Sequence, residues 1–308
     1  MLQRFDERNR AILVNIDSQL IHRDAAGISP FDSAVQGGDA VWEGLRVYGG
    51  RIFKLREHLN RLRGSARALA FERIPDDASI VREIRRTLKA NEMRDGIHIR
   101  LTLTRGVKIT SGMDPRLNQS GPTLIVLAEH KSPVYDKAGL SLVTSSVRRH
   151  PPDCLDPKIH HCNLIQSILA KIEANVAGAD DAVMLDSHGF VAETNATHLF
   201  IVDDAILSTP RTVACPEGIT RATVLEICAS EGITCLERDL SLSEVYRADE
   251  VFTTGTMGEL ASVVKVDGRT IGDGAVGPMT RRLSEAYQRL TESRGQPVVD
   301  PPDRHATR

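Results

Sequence analysis

"IHIRLTLT", from Ile97 to Thr104, alternates without a break. Ile97, Ile99, Leu101 and Leu103 point one way and His98, Arg100, Thr102 and Thr104 the other, the period of a strand with one buried face. Its polar face carries two strong hydrogen-bonding side chains, so it either meets solvent or forms the wall of a wet cleft. Upstream the period changes. Leu55, Leu59, Leu62, Ala66 and Leu69 recur at helical spacing. A second helix follows Pro75, with Ile80, Val81, Ile84 and Leu88 as its buried stripe and Asp76 or Asp77 as cap. "AILVNID" and "PTLIVLAE" read as strands, and "GLRVYGGRIF" as a hairpin turning at Gly49-Gly50. Strands and helices do not alternate regularly and no internal repeat is visible. The chain is therefore α+β, not a doubly wound parallel sheet.

Around Pro133, "EHKSPVYDKAG" is polar and broken, which marks a linker. The reading places a small α+β domain at 1–130, a linker at 131–138 and a large domain at 139–294. Beyond the linker come "LSLVTSS" and short strands with hairpin signals at "DSHG" and "VDGR". Helices interrupt them at Arg221–Ser230 and Thr280–Leu290. The Pro-rich, polar tail, 295–308, reads as disordered.

Composition narrows the function. The 308 residues include 26% charged and 41% hydrophobic side chains with a formal net charge of -2, the profile of an ordinary soluble enzyme. Positive charges are interspersed with negative ones, which argues against nucleic-acid binding. No apolar run is long enough to cross a membrane, and the charged opening "MLQRFDERNR" is unlike a signal peptide. Five cysteines, odd in number and without paired spacing, point to a reducing compartment. The expected location is cytoplasmic.

"DPKIHHCNLIQSILAKIEA", Asp156 to Ala174, crowds two histidines, a cysteine, an aspartate and a lysine ahead of a helix. Zinc sites usually show short-range pairs such as Cys-x2-Cys; here His160, His161 and Cys162 are adjacent and their side chains diverge. Packed loop residues are the plainer reading, and no metal is expected. Asn163 is a suitable N-cap with Gln166 three residues on. Leu164, Ile165, Ile168, Leu169, Ile172 and Val176 form a stripe expected to be buried, and Gly178 stops the helix. Lys158 precedes this helix. Enclosed, its ammonium would be desolvated and suited to Schiff-base chemistry; otherwise it is a solvated surface lysine.

The rest of the chain bears on that choice. "GGDAVWEGLR", "FKLREHLNRL", "IRLTLTRG", Lys158 with "NLIQSILAKIEA", "FVAETNATHLF", "PEGITRATVLEI", "ADEVFTTGTMGEL" and "GPMTRRL" follow one another in order. Together they resemble the class IV, fold-type IV, pyridoxal-phosphate aminotransferases, a family that includes branched-chain and D-amino acid aminotransferases. The resemblance implies a smaller, α/β sandwich-like N-terminal domain and a larger, barrel-like C-terminal domain, with pyridoxal 5'-phosphate in the cleft between them. It also implies a homodimer acting on an amino acid and a 2-oxo acid, with no nucleic acid or membrane involved.

By the same resemblance, Lys158 forms the Schiff base with the cofactor and later shuttles the α-carbon proton. Glu193 pairs with the pyridine nitrogen and keeps the ring an electron sink. Arg56 of "LREH" grips the phosphate with its planar fork; its plainer role is an ordinary helix-surface charge. Gly218 allows close backbone approach, and the amides of Ile219 and Thr220 meet the phosphate at a helix N-terminus, where Thr220 could equally be only a cap. Thr256 completes the cup, and no Mg2+ is expected.

The substrate pocket departs from the family's subgroups. Gly37 stands where branched-chain enzymes carry a tyrosine, Leu164 replaces a second and His98 a third, while Val35 replaces the pocket tyrosine of the D-amino acid subgroup. The loop from Lys158 to Asn163 is also longer. The space left is within the expected reach of Arg100 and Arg105, one or both of which would bind the substrate carboxylate; Arg105 could instead anchor a loop. Trp42 either lines the pocket or packs in the core or dimer interface, and Met257 lines the pocket. The expected function is transamination of a branched-chain L- or D-amino acid. The alternatives are aminodeoxychorismate lyase chemistry, an (R)-selective amine transaminase, or a binding protein on an inactive fold, which intact Lys158, Glu193 and Arg56 oppose.

Overall fold

Helices and strands are mixed as expected in this computed structural model, which describes residues 3–133, 135 and 138–300. The chain divides into two units, and the division is not a single cut. Arg4–Ser132 form an N-terminal unit together with His160–Cys162 and Thr291–Asp300. Pro133–Ile159 and Asn163–Leu290 form the C-terminal unit.

In the N-terminal unit the strands are β1 (Leu13–Ile16), β2 (Gln19–His22), β3 (Ala40–Tyr48), β4 (Arg51–Ile52), β5 (Ile97–Thr104) and β6 (Thr123–His130). Its helices are α1 (Ser33–Gly37), α2 (Leu55–Ala68) and α3 (Asp77–Ala90). The sheet runs β4-β3-β5-β6-β1-β2, with Gln296–Pro297 added beyond β4. Gly49 and Gly50 take positive φ in the β3–β4 turn, as the hairpin reading required. Asp76 caps α3 by accepting from Ser79 N at 2.7 Å. β3 and β5 pair along their whole length, so Val41, Glu43, Leu45 and Val47 share one face with Leu103, Leu101, Ile99 and Ile97. All eight are fully buried at 0% exposure. α2 packs on β3 and α3 on β1 and β6. Trp42, Gly44, Arg46, His98, Arg100 and Thr102 take the opposite face.

The C-terminal unit contains β7 (Leu140–Thr144), β8 (Asp181–Leu185), β9 (Val191–Thr194), β10 (His198–Asp203), β11 (Ile206–Thr209), β12 (Cys235–Glu237), β13 (Glu250–Gly255), β14 (Glu259–Val266) and β15 (Arg269–Thr270). Its helices are α4 (Pro152–Leu155), α5 (Ile165–Val176), α6 (Ile219–Glu231), α7 (Leu242–Arg247) and α8 (Pro278–Ser293). The order is β12-β11-β10-β13-β14-β7-β8-β9, with β15 on β14. β7 lies parallel to both β14 and β8, and both expected hairpins are present. Leu142, Val183, Leu199, Ile201, Val251 and Val263 close the core with Leu240 and Val245.

Two expectations are corrected. Leu164, not Asn163, precedes α5, and no side chain caps it. The apolar stripe of α5 is also not buried: Ile165 is 65%, Ile168 51%, Leu169 47%, Ile172 51% and Val176 86% exposed. The helix meets Ala182 and Met184 through Ala170 and Ala174 instead. Small side chains allow close approach to the sheet and leave the large ones outside. The tail is ordered at its start, where Gln296 and Pro297 pair with Ile52 and Arg51; β4 is an edge strand whose free backbone groups need partners. Residues 301–308 of the expected disordered tail lie outside the described residues.

Phe200 and Phe252 stack across β10 and β13 with centroids 5.0 Å apart, and both are fully buried. Phe252→Ala should cost about 3–5 kcal/mol in urea unfolding. A loss below about 1 kcal/mol would mean that the strands collapse onto the space.

Candidate active site

Lys158 lies in the C-terminal unit, in the turn that follows α4. Its backbone N–H donates to Asp156 Oδ1 at 2.9 Å, and Ile159 N to Asp156 O at 3.1 Å. The turn is fixed while the side chain is not: it is 48% exposed and its Nζ lies 3.8 Å from Glu217 Oε1. The enclosed lysine considered from the sequence is thus half open.

Glu193 is the opposite case. On β9 it is 3% exposed, with Oε1 2.8 Å from Arg149 Nη2 and Oε2 4.0 Å from His198 Nδ1. Arg149 also donates to Thr194 O at 2.9 Å and Ser167 Oγ at 3.2 Å, so the carboxylate is held by a braced cation. Gly218 starts α6 in extended conformation, and a Cβ there would run into the His198 ring. Close packing against His198 therefore demands glycine. The first intrahelical bond is Ala222 N to Gly218 O, so the amides of Ile219 and Thr220 have no intrahelical acceptor. Thr220 is buried at 4%. Thr256 and Met257 are half-buried just past β13, and the nearby hydroxyls of Thr253 and Thr254 are buried without a hydrogen-bond partner among the described residues. Burial, followed by the charge of Glu193, pushes the Cys215 thiol up against the pull of Arg221, Arg149 and Lys158. Lys158, Glu193 and Arg149 thus all act by charge on this buried thiol. Arg149 and His198 were not singled out from the sequence; "SSVRRHPP" and "NATHLF" carry no spacing that marks them.

The remaining candidates belong to the N-terminal unit. Arg56 is exposed on α2, in a groove with Asp77, Arg82, Arg85 and Gln296. Arg61, five residues on, is the arginine of that helix turned inward. Its Nε and Nη2 reach Glu43 Oε1 and Oε2 at 2.8 and 2.7 Å. Glu43 also meets His58 Nδ1 at 2.6 Å and His160 Nδ1 at 3.4 Å. Burial opposes the charge on Glu43, and the Arg61 guanidinium overrides it and holds the carboxyl well below its ordinary value.

On the opposite face, the Arg100 guanidinium lies 3.4 Å from the Trp42 ring centroid and 3.9 Å from Cys162 Sγ. His98 sits against Gly44, is 9% exposed, and finds no partner for either ring nitrogen among the described residues. Arg105 is differently employed. It donates to Asp39 at 2.5 and 3.1 Å and to Leu69 O and Ala70 O, and it covers the Phe71 ring. This is the loop-anchoring role. Gly37 ends α1 with open space where a side chain would project.

The donor set of the C-terminal unit fits a phosphorylated pyridine. Free amides at a helix start and a threonine hydroxyl suit the phosphate, a buried carboxylate suits a ring nitrogen, and a lysine suits an aldehyde. Among the described residues no group of three or more His, Cys, Asp or Glu could hold a metal ion, and no helix is long and apolar enough to cross a membrane.

The sequence model of the family amino-transferase class IV matches residues 40–266. Branched-chain-amino-acid aminotransferase-like protein 2 of Arabidopsis thaliana is 56% identical over 291 residues, 94% of this chain and 52% of that protein. The chain thus spans about half the length of that relative. The putative branched-chain-amino-acid aminotransferase of Methanocaldococcus jannaschii is 38% identical over 288 residues, covering 93% of this chain and 99% of that protein. Among solved structures, the T.th. branched-chain amino acid aminotransferase with pyridoxamine 5'-phosphate superposes at a TM-score of 0.85. It is 32% identical and covers 92% of this chain and 94% of that one.

His98 generates a pH prediction. Burial, then the charges of Lys131, Arg100 and Arg46, pull its pKa from 6.5 down to about 3. Between those values the unfolded chain binds a proton that the folded chain refuses, so stability rises with pH and is lost as acid is added. In His98→Phe the urea midpoint should fall less between about pH 6.5 and pH 4 than in the parent. Equal acid slopes would show that His98 takes up its proton in the folded state.

Proposed function

The chain belongs to the class IV amino-transferase family, and on that premise we propose that it moves an amino group between an amino acid and a 2-oxo acid. The cofactor of this reading is pyridoxal 5'-phosphate and the kinetics are ping-pong. The names of the relatives favour branched-chain amino acids as donors, and the L configuration is part of the proposal. The observation that carries the proposal is Glu193, a carboxylate kept 3% exposed beside Arg149 in the same unit as Lys158 and the start of α6.

Pyridoxal phosphate, when bound, supplies an aldehyde that takes up the amino group and a ring that accepts electrons from the substrate α-carbon. Lys158 is assigned to hold the cofactor and then, through Nζ, to move the proton at that α-carbon. Its long, half-exposed side chain suits both tasks. Glu193 would pair with the ring nitrogen. Gly218 would let the backbone come close while the Ile219 and Thr220 amides and the Thr256 hydroxyl would hold the phosphate. Arg100 receives the substrate carboxylate, with Trp42 beneath its guanidinium. His98, Gly37 and Met257 shape the remaining space. Arg105 is left to its loop. The phosphate grip expected of Arg56 is weakened by its exposure, and Arg61 on the same helix is already committed to Glu43. A cofactor affinity unchanged in Arg56→Ala would remove Arg56 from the set.

The uncovered stripe of α5 supports a homodimer, since contiguous apolar side chains on a surface mark an interaction site. Ile168→Glu should shift the protein to a monomer in sedimentation; an unchanged mass would place any dimer contact elsewhere.

The visible spectrum of the protein with pyridoxal phosphate tests the main reading. L-leucine alone should remove the absorbance band and D-alanine should not. Bleaching by D-alanine alone would reverse the handedness. A stable band with both would move the lyase or an amine donor forward, and no band would end the cofactor assignment. Lys158→Ala should lower turnover by at least about a thousandfold.

A further inference from the structure

The His160-His161-Cys162 stretch has been left without a role, although it leaves the unit that surrounds it in sequence. It acts as a short added strand. On one side β3 pairs with β5 throughout, while on the other β4 reaches only Val47 and Tyr48. The edge from Ala40 to Trp42 would otherwise be open. His161 bridges to Val41, Trp42 N donates to His160 O at 3.0 Å, and Cys162 N donates to Ala40 O at 2.9 Å. The indole Nε1 of Trp42 donates to His161 O at 3.1 Å, and His160 N donates to Ser65 Oγ at 3.0 Å.

The His160 side chain is held more tightly still. Its ring stacks on Trp42 with centroids 4.3 Å apart and planes at 25°. Nδ1 lies 2.5 Å from Trp42 O, and a carbonyl can only accept, so Nδ1 carries the proton and donates it. The same nitrogen stands 3.4 Å from Glu43 Oε1, a carboxylate already gripped by Arg61 and His58.

Lys158 is two residues earlier in the chain. With its side chain half exposed and its Nζ no nearer than 3.8 Å to Glu217 Oε1, its placement must come from the backbone. On one side that backbone is fixed by the Asp156 turn. We propose that His160 is the positioning residue for Lys158, clamping the chain just beyond the lysine onto Trp42 and the Glu43–Arg61–His58 cluster. The inference rests on Lys158 being the cofactor lysine.

The test uses the rate at which pyridoxal phosphate added to the cofactor-free protein becomes borohydride-trapped on Lys158, read by peptide mass, beside kcat and KM. His160→Ala should slow capture and lower kcat, each by about tenfold to a hundredfold, with KM within about twofold. His160→Phe keeps the stack and loses the donor, and should behave like His160→Ala. His160→Asn, whose amide can donate to Trp42 O, should recover most of both rates. Should His160→Ala fail to fold, His160→Phe and Ser65→Ala carry the same comparison. Capture on Lys158 at the parent rate in these variants, with kcat unchanged, overturns the clamp and leaves the Lys158 reading intact. Capture at another lysine in the unaltered protein overturns the Lys158 reading and the clamp with it.

Discussion

Glu43 is an ionised carboxylate with no access to water, and much of the N-terminal unit is arranged around that constraint. A bare buried charge is costly, and it persists only where donors meet both oxygens. Here Arg61 supplies a two-pronged fork and His58 a further contact, from positions three apart on α2. That spacing puts both on one helical face, so the helix cannot rotate without leaving the charge unpaired. Losing one partner of such a group typically costs about 3–5 kcal/mol, comparable to the whole margin of stability of many domains. The register of β3 on β5 is bound by the same requirement. A slip by one residue would turn Glu43 to the far face and bring Trp42 and Arg46 under the helices.

What that register places on the far face bears on the substrate. Arg46, His98 and Arg100 crowd together there with Lys131 in Coulombic range of His98. Such a face repels cations and leaves His98 neutral. A neutral imidazole offers one donor and one acceptor, and Arg46 and Arg100 are the fixed charges that oxygen atoms presented to this face would meet. Arg105 shows the contrast. It follows β5 directly, yet Asp39 and two backbone carbonyls of the segment after α2 use its donors. Two arginines close in sequence are therefore separated by what already surrounds them, which sequence distance does not reveal.

The parts legible in the sequence were those in which one face is apolar and the other is not. α2, α3 and β5 satisfy this, and Gly49-Gly50 and Asp267-Gly268 adopt the positive φ their hairpins need. The reading failed for α5 because that helix is apolar on two sides. Ala170 and Ala174 take the sheet, while the isoleucines that dominate the periodicity face outward. Periodicity measures contrast between faces and does not say which face the core will choose. Glu43 and Arg61 were missed for a related reason. In "VWEG" and "HLNR" each looks like a surface charge, and only the pairing of a strand with a helix shows that both are buried. Lys158, Glu193, Gly218 and Thr220 are proposed from ordered resemblance alone, with no periodicity or spacing to mark them.

The strand-like course of residues 160–162 also decides what the two histidines and the cysteine can do. Along a strand successive side chains leave on opposite faces, so His161 is turned away from His160 and Cys162. The remaining two are each engaged, His160 by Trp42 O and the indole, Cys162 by Arg100. A metal-binding cysteine must give up its proton, yet burial pushes the Cys162 thiol up against the pull of Arg100. Three residues that look in sequence like the start of a metal site thus spend their backbone on an open sheet edge and their side chains on an indole and a guanidinium. On the proposed reading the chemistry falls to the lysine before them, and the proposed clamp limits where that lysine's chain can go.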